Sequence, residues 1–213
     1  MYKGTNASDG IGIGTAVIVE EAELIITRRE VNDTEAEVQR FKGALETTIA
    51  ETQKMAEDLA ARVGEKEAEI MQGHMMLLSD PMLTGEIENS IQNDKVNSEF
   101  AIENVCNMYA DMFASMGDEL MQQRATDMRD IKVRMQRTLM GLQSVDVSAL
   151  PAGTILVAKD LTPSMTAGIN PANVTGIVTE LGGRTSHSAI LARALEIPAV
   201  VAVNSFIEGV KDG

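Results

Sequence analysis

The chain has 213 residues, with 18 basic against 32 acidic side chains and a formal net charge of −14 at pH 7. That length suits one large domain or two small ones, and the acidic balance argues against a nucleic-acid binder, whose footprint is basic. No apolar run approaches the roughly 18 residues of a membrane helix, Met1 to Gly10 lacks the features of a secretory signal, and the lone Cys106 excludes an internal disulfide, so a reducing, cytoplasmic setting is expected.

In chain order, Gly10 to Val19 (GIGIGTAVIV) reads as a strand with glycines at two-residue spacing on one side. Gly10-x-Gly12-x-Gly14 is not a dinucleotide loop, because a strand follows it where that fingerprint needs a helix. A close-packed glycine face or a bulge is expected instead.

Amphipathic helices follow. Thr34 and Glu37 form a capping-box pattern, and Val38, Phe41, Leu45, Met55 and Leu59 then recur at helical spacing. Gly64 interrupts this helix, and a second runs from about Glu65 to Leu78. Asp80-Pro81 reads as the cap and first residue of a third, with Leu83, Ile87 and Ile91 as its apolar stripe. Ser98 is expected to cap a fourth carrying Ile102, Val105, Tyr109, Met112 and Met116, with Cys106 a buried thiol on it. A fifth spans about Glu119 to Met140, burying Leu120, Met128, Ile131, Met135 and Leu142. Short connections between such helices predict a bundle. Between Glu30 and Gln143 there are 22 acidic and 11 basic residues and 12 of the 14 methionines, so most of the net charge lies in this section.

The last third changes period. Thr154–Ala158, Val174–Thr179 and Ala199–Val203 are short apolar runs suited to strands buried on both faces of a parallel sheet. Pro163–Gly168 and Ser186–Leu195 are the helices between them, giving right-handed crossovers. The Gly10–Val19 strand joins this sheet. The expected fold is therefore α/β plus an all-α insert: a mainly parallel sheet from residues 1–29 and 144–213, interrupted by a helical bundle at 30–143.

The chemistry-bearing residues lie in one run, Glu180 to Ser188 (ELGGRTSHS), between a strand and a helix, where open parallel sheets bind ligands. Gly182 and Gly183 let backbone amides approach an oxyanion. The helix N-terminus adds partial positive charge, Arg184 adds a cation suited to phosphate, and Thr185 and Ser186 add hydroxyl groups. His187, in the first helical turn, is a nucleophile whose imidazolium the helix dipole disfavours. On residue types alone two readings stand: a phosphorylated histidine in an anion cradle, or an ordinary glycine turn beside an idle histidine. A Ser-His-Asp hydrolase is disfavoured because no G-x-S-x-G elbow exists. A metal site is disfavoured because the only two histidines, His74 and His187, lie in different segments and there is no cysteine pair.

The run Gly182 to Arg193 (GGRTSHSAILAR) resembles the phosphohistidine signature of the phosphoenolpyruvate-utilising enzymes. Ala7–Gly14, Gly73–Asp80, Arg124–Ile131 and Leu161–Ala167 further resemble the N-terminal part of the enzyme I family of the bacterial sugar phosphotransferase system. The resemblance implies an enzyme that takes a phosphoryl group from phosphoenolpyruvate onto Nε2 of His187 and passes it to a histidine of the phosphocarrier HPr. It implies that Thr166 contacts the other ring nitrogen. It implies an HPr interface built from Gln72, His74, Met76, Leu77, Asp80, Leu83 and Arg124, with His74 supporting that surface rather than reacting. A lysine of some relatives falls at Glu67 here, beside Lys66, so that contact is not carried over. The family's barrel domain, which binds phosphoenolpyruvate and Mg²⁺ and forms a homodimer, is expected to be missing, leaving a cofactor-free, monomeric fragment that only exchanges phosphate with HPr. The alternatives are the swivelling phosphohistidine domain of a dikinase or synthase, against which the helical insert argues, and a non-catalytic docking module.

Overall fold

A computed structural model describes residues 2–213, apart from the side chain of Glu119. The elements are β1 (Thr5–Ser8), β2 (Thr15–Ile18), α1 (Thr34–Val63), α2 (Glu65–Leu78), α3 (Pro81–Asp94), α4 (Ser98–Ser115), α5 (Glu119–Met140), β3 (Thr154–Ala158), α6 (Pro163–Gly168), β4 (Val174–Thr179), α7 (His187–Ala194) and β5 (Ala199–Val201). Among the described residues no helix is long and apolar enough to cross a membrane.

Contacts divide the chain into an α/β unit (residues 1–22, 58–68 and 145–213) and a helical unit (residues 23–57 and 69–144). The boundaries differ from the expected ones for a local reason in each case. Residues 23–29 join the helices because Arg29 and Asn97 exchange hydrogen bonds, Arg29 N–H to Asn97 Oδ1 and Asn97 N–H to Arg29 O. Residues 58–68 join the sheet because the Arg62 guanidinium donates to the carbonyls of Ala167 and Ile169 at the end of α6.

The α/β unit holds one five-stranded sheet in the order β1-β5-β4-β3-β2. All pairings are parallel except β1 with β5. The mainly parallel expectation holds, and Leu156, Ile177, Ala189 and Val201 form its core. The Gly10–Val19 reading needs correction. Only its second half is strand: β2 (Thr15–Ile18) joins the sheet as expected, β1 (Thr5–Ser8) lies ahead of it at the opposite edge, and Gly10–Gly14 is the loop that crosses between them. Spacing did not separate loop from strand, because the glycines serve the crossing. A Cβ on Gly10 would lie 2.7 Å from Pro198 ahead of β5, one on Gly12 would lie 2.4 Å from Thr175 O in β4, and one on Gly14 would lie 2.0 Å from Gly153 O ahead of β3. Three glycines thus let one backbone pass over the start of three successive strands.

The helical unit packs Phe41, Ile87, Ile102, Ile131 and Met135 into its core. Asp80 caps α3 as expected, accepting from Met82 N at 2.8 Å. Two other caps differ from expectation. Asp33, not Thr34, accepts from Ala36 N at 2.9 Å, and Asn97 rather than Ser98 is the cap residue of α4. The Glu37 carboxylate goes to Ser98 N instead, at 2.7 Å, closing the start of α4 from another helix. Leu120 and Leu142 were expected in the core and are exposed, as are Met112 and Met116 at the far end of α4. Burial fades where these helices end, which spacing alone does not report.

Candidate phosphotransfer site and docking surface

In the α/β unit the backbone leaving β4 continues along the end of β3, with Glu180 N donating to Ala158 O and Leu181 N to Lys159 O. The Thr179 hydroxyl donates to Leu181 O at 2.7 Å, and the Glu180 carboxylate accepts from Ile207 N at 2.9 Å. The chain then turns at Gly182, whose φ of +93° favours glycine. Gly183 is needed less for space, since a Cβ there would meet nothing within 4 Å. Its carbonyl is the turn's anchor, accepting from both Ser186 N and Ser186 Oγ.

Ser186 is the N-cap of α7, its hydroxyl oxygen accepting from Ala189 N at 3.3 Å. Its proton is committed to Gly183 O at 2.8 Å. Ser188 Oγ, 2.9 Å from Ser186 Oγ, is therefore the donor of that pair. Ser186, expected as a phosphate-binding hydroxyl, here caps α7 and braces the turn. Arg184 and Thr185 are exposed on the loop, and His187 is the first residue of α7, half-buried at the carboxyl end of the sheet.

Thr166 sits on α6, which packs against α7. Its side chain is fully buried and its hydroxyl donates to Thr162 O at 2.7 Å. Two residues absent from the sequence reading support this arrangement. Arg62 closes the carboxyl end of α6, and burial lowers its pKa, opposed by Asp58. Asp160, between β3 and α6, accepts from Leu161 N at 2.9 Å. Burial raises its carboxyl above the usual range, opposed by that N–H and by nearby His187. Its position just past a parallel strand was the available signal.

In the helical unit, Gln72 and Met76 are exposed on α2, and Leu77 and Asp80 are half-buried. Met82, which sequence reasoning passed over, is 68% exposed; it falls out of phase with the Leu83–Ile87–Ile91 stripe. Leu83, read both as apolar stripe and as interface, is 2% exposed and belongs to the core, and His74, expected to support the surface, is fully buried, so neither side chain is exposed. His74 lies beneath the surface, with Nε2 3.2 Å from Asp127 Oδ1 and Nδ1 3.8 Å from Asp130 Oδ2. Asp127 also pairs with Arg124 at 3.6 Å. Gly73 leaves room for that guanidinium, since a Cβ there would lie 2.5 Å from Arg124 Nη1. Among the described residues no group of three or more His, Cys, Asp or Glu could hold a metal ion.

Residues 3–124 match the family described as PEP-utilising enzyme, N-terminal, and residues 150–213 the one described as PEP-utilising enzyme, mobile domain. The phosphoenolpyruvate-protein phosphotransferase of Listeria monocytogenes is 46% identical over 93% of this chain and 35% of that protein. Its counterpart in Bacillus subtilis is 41% identical over 99% of this chain and 37% of that protein. The chain thus spans little more than a third of these curated relatives. A solution structure described as Enzyme I (nEIt) is 40% identical, with a TM-score of 0.84 over the whole of this chain and 87% of that one. The N-terminal domain of Enzyme 1 - Nitrogen is 27% identical, with a TM-score of 0.65 over 94% and 83%. Sequence and fold agree along the whole chain: it belongs to the phosphoenolpyruvate-utilising enzymes, and within them to the N-terminal part of enzyme I.

Proposed function

We propose that this chain is a phosphoryl relay in which His187 carries the phosphoryl group and exchanges it with the histidine of HPr. The observation that carries this reading is the place of His187: first residue of α7, directly after a turn at the carboxyl end of β4. The helix end presents partial positive charge to an incoming phosphoryl group, and Arg184 is exposed beside it. Nε2 of His187 attacks phosphorus in line, forming the N–P bond as the bond to the donor histidine breaks. Little further covalent help is needed; placement and charge stabilisation suffice.

Thr166 holds the other ring nitrogen. Because its proton belongs to Thr162 O, its oxygen acts as acceptor for an imidazole Nδ1–H, which leaves the Nε2 lone pair for attack. HPr docks on the helical unit through Gln72, Met76, Leu77, Asp80, Met82 and Arg124, with His74 and Leu83 supporting from below. Exposed methionines suit an adaptable protein contact, and the acidic helices steer a basic partner. Charging from phosphoenolpyruvate, the Mg²⁺ it needs and homodimer formation belong to the longer relatives' remaining two thirds, and the relay works in the cytoplasm.

The test is incubation with phospho-HPr. The expected product is an acid-labile, base-stable phosphate on this chain, absent from His187→Ala, which still binds HPr. A phosphate found equally on His187→Ala, or on neither protein, would sink the reading.

A further inference from the structure

The β1–β5 ladder has an irregularity that leads to the site. Asn6 pairs with Val200 and Ser8 with Ala199, so Ala7 is an extra residue with no partner position on β5. It is a bulge, and bulges commonly re-aim a backbone group. The carbonyl of Ala7 accepts from Nη1 of Arg193, in the last turn of α7, at 2.9 Å. The same Nη1 donates to the carbonyl of Arg184 at 3.0 Å. A terminal guanidinium nitrogen bears two hydrogens pointing in different directions, so one atom can serve both carbonyls. Among the described residues Arg193 makes no ion pair, so these bonds, rather than a carboxylate, hold it.

Arg184 lies between Gly183, the anchor of the turn, and His187, and Arg193 Nη1 holds its carbonyl; the neighbouring Ser186 is held by Gly183 on one side and by Ser188, Ala189 and Ile190 of α7 on the other. Resting on the phosphotransfer reading, we propose that Arg193 is a positioning residue of the site. It ties the loop that precedes His187 to the β1 bulge, and so fixes the path by which a phosphoryl group reaches Nε2. Ala7 and Arg193 lie 186 positions apart in sequence, so the tie joins the first strand of the chain to the signature loop.

Two variants separate the tie from mere charge. Arg193→Met removes both bonds, and Arg193→Lys keeps the charge but places one ammonium where a planar fork stood. Three quantities are measured on each: kcat and KM for exchange with phospho-HPr, amide hydrogen exchange of residues 183–187, and the folded fraction by thermal unfolding. For Arg193→Met, kcat should fall about tenfold or more, as misplaced reacting groups require. KM for HPr should stay within about twofold, and the loop amides should exchange faster while the folded fraction stays high. Arg193→Lys should recover only part of the rate. Full recovery by lysine, or a loss that tracks the folded fraction, would overturn the proposal. If the parent itself exchanges no phosphate, the phosphotransfer reading falls; loop protection then decides the tie, and unchanged protection in Arg193→Met overturns it.

Discussion

Thr166 gives its hydroxyl proton to the carbonyl of Thr162, the cap residue of α6, 2.7 Å away. That carbonyl also receives the Thr166 backbone N–H at 3.0 Å, so it keeps a donor if the hydroxyl is removed. Thr166→Val should therefore fold with little change in melting temperature. It should slow phosphate exchange by about ten- to a hundredfold, the usual cost of losing a hydrogen bond that orients a reacting group. Thr166→Ser, which retains the oxygen, should recover most of the rate. An exchange rate in Thr166→Val equal to the parent's would remove the assigned role.

A second prediction concerns acid stability. Burial pushes the Glu37 carboxyl up, but hydrogen bonds from Arg40 and from Ser98 outweigh it and bring its pKa down from an ordinary 4.5 to about 2. Arg40 spans Glu37 and Glu99, at 2.7 and 2.8 Å, and Glu99 is likewise held low, its burial overcome by Asn97 and Arg40. A carboxyl with a depressed folded pKa stabilises fully above its unfolded value and loses that stability as pH falls towards the folded one. The helical unit should weaken between about pH 4.5 and pH 2. Glu37→Gln should cost about 1–2 kcal/mol at neutral pH after allowance for solvent screening, and should flatten this slope. Urea midpoints followed by circular dichroism at pH 6 and pH 3 make the comparison; equal slopes for parent and variant would contradict it.

Gly14→Ala and Gly43→Ala should act in opposite directions. A methyl on Gly14 would lie 2.0 Å from a backbone oxygen that cannot move aside cheaply, whereas one on Gly43, exposed in α1, meets nothing within 4 Å. The first should destabilise the α/β unit by about 2–3 kcal/mol through overpacking, and the second should stabilise by about 0.5–1 kcal/mol. Thermal unfolding of the two variants tests both signs.

Met76→Lys and Met82→Lys should each weaken HPr binding about tenfold, a typical loss at an exposed apolar anchor, with kcat at saturating HPr unchanged. Met76 and Met82 are 70% and 68% exposed, so folding should be unaffected. Titration calorimetry measures the affinity; an unchanged value would move the docking surface elsewhere.

The helices were largely legible because their signals are local. Asp80-Pro81, Gly64 and the Leu83–Ile87–Ile91 stripe each act within a turn or two, and the structure follows them. The three parallel strands were legible as continuous apolar runs. What sequence could not supply were relations between distant residues. Glu37 matched a capping box, yet Ser98, 61 positions away, took its carboxylate. Thr5–Ser8 is too short and polar to read as a strand until β5 lies beside it. The histidine loop was recognisable in full, but the use of Ser186 as a brace became visible only with the turn closed on Gly183. His74 carried the residue type of a surface group, and only packing shows it fully buried.

The sheet order also sets a timetable for synthesis. β2 must wait for β3, roughly 135 residues later, and β1 waits longer still for β5. Most of the helical unit leaves the ribosome in that interval, and its contacts are mostly closed within residues 23–144. If the bundle condenses first, it shortens the loop that β2 and β3 must close and lowers the entropy cost of bringing them together. Until then the first twenty residues have no sheet to join. The Gly10–Gly14 crossing is thus synthesised before the strands it passes over and seated only once they are in place.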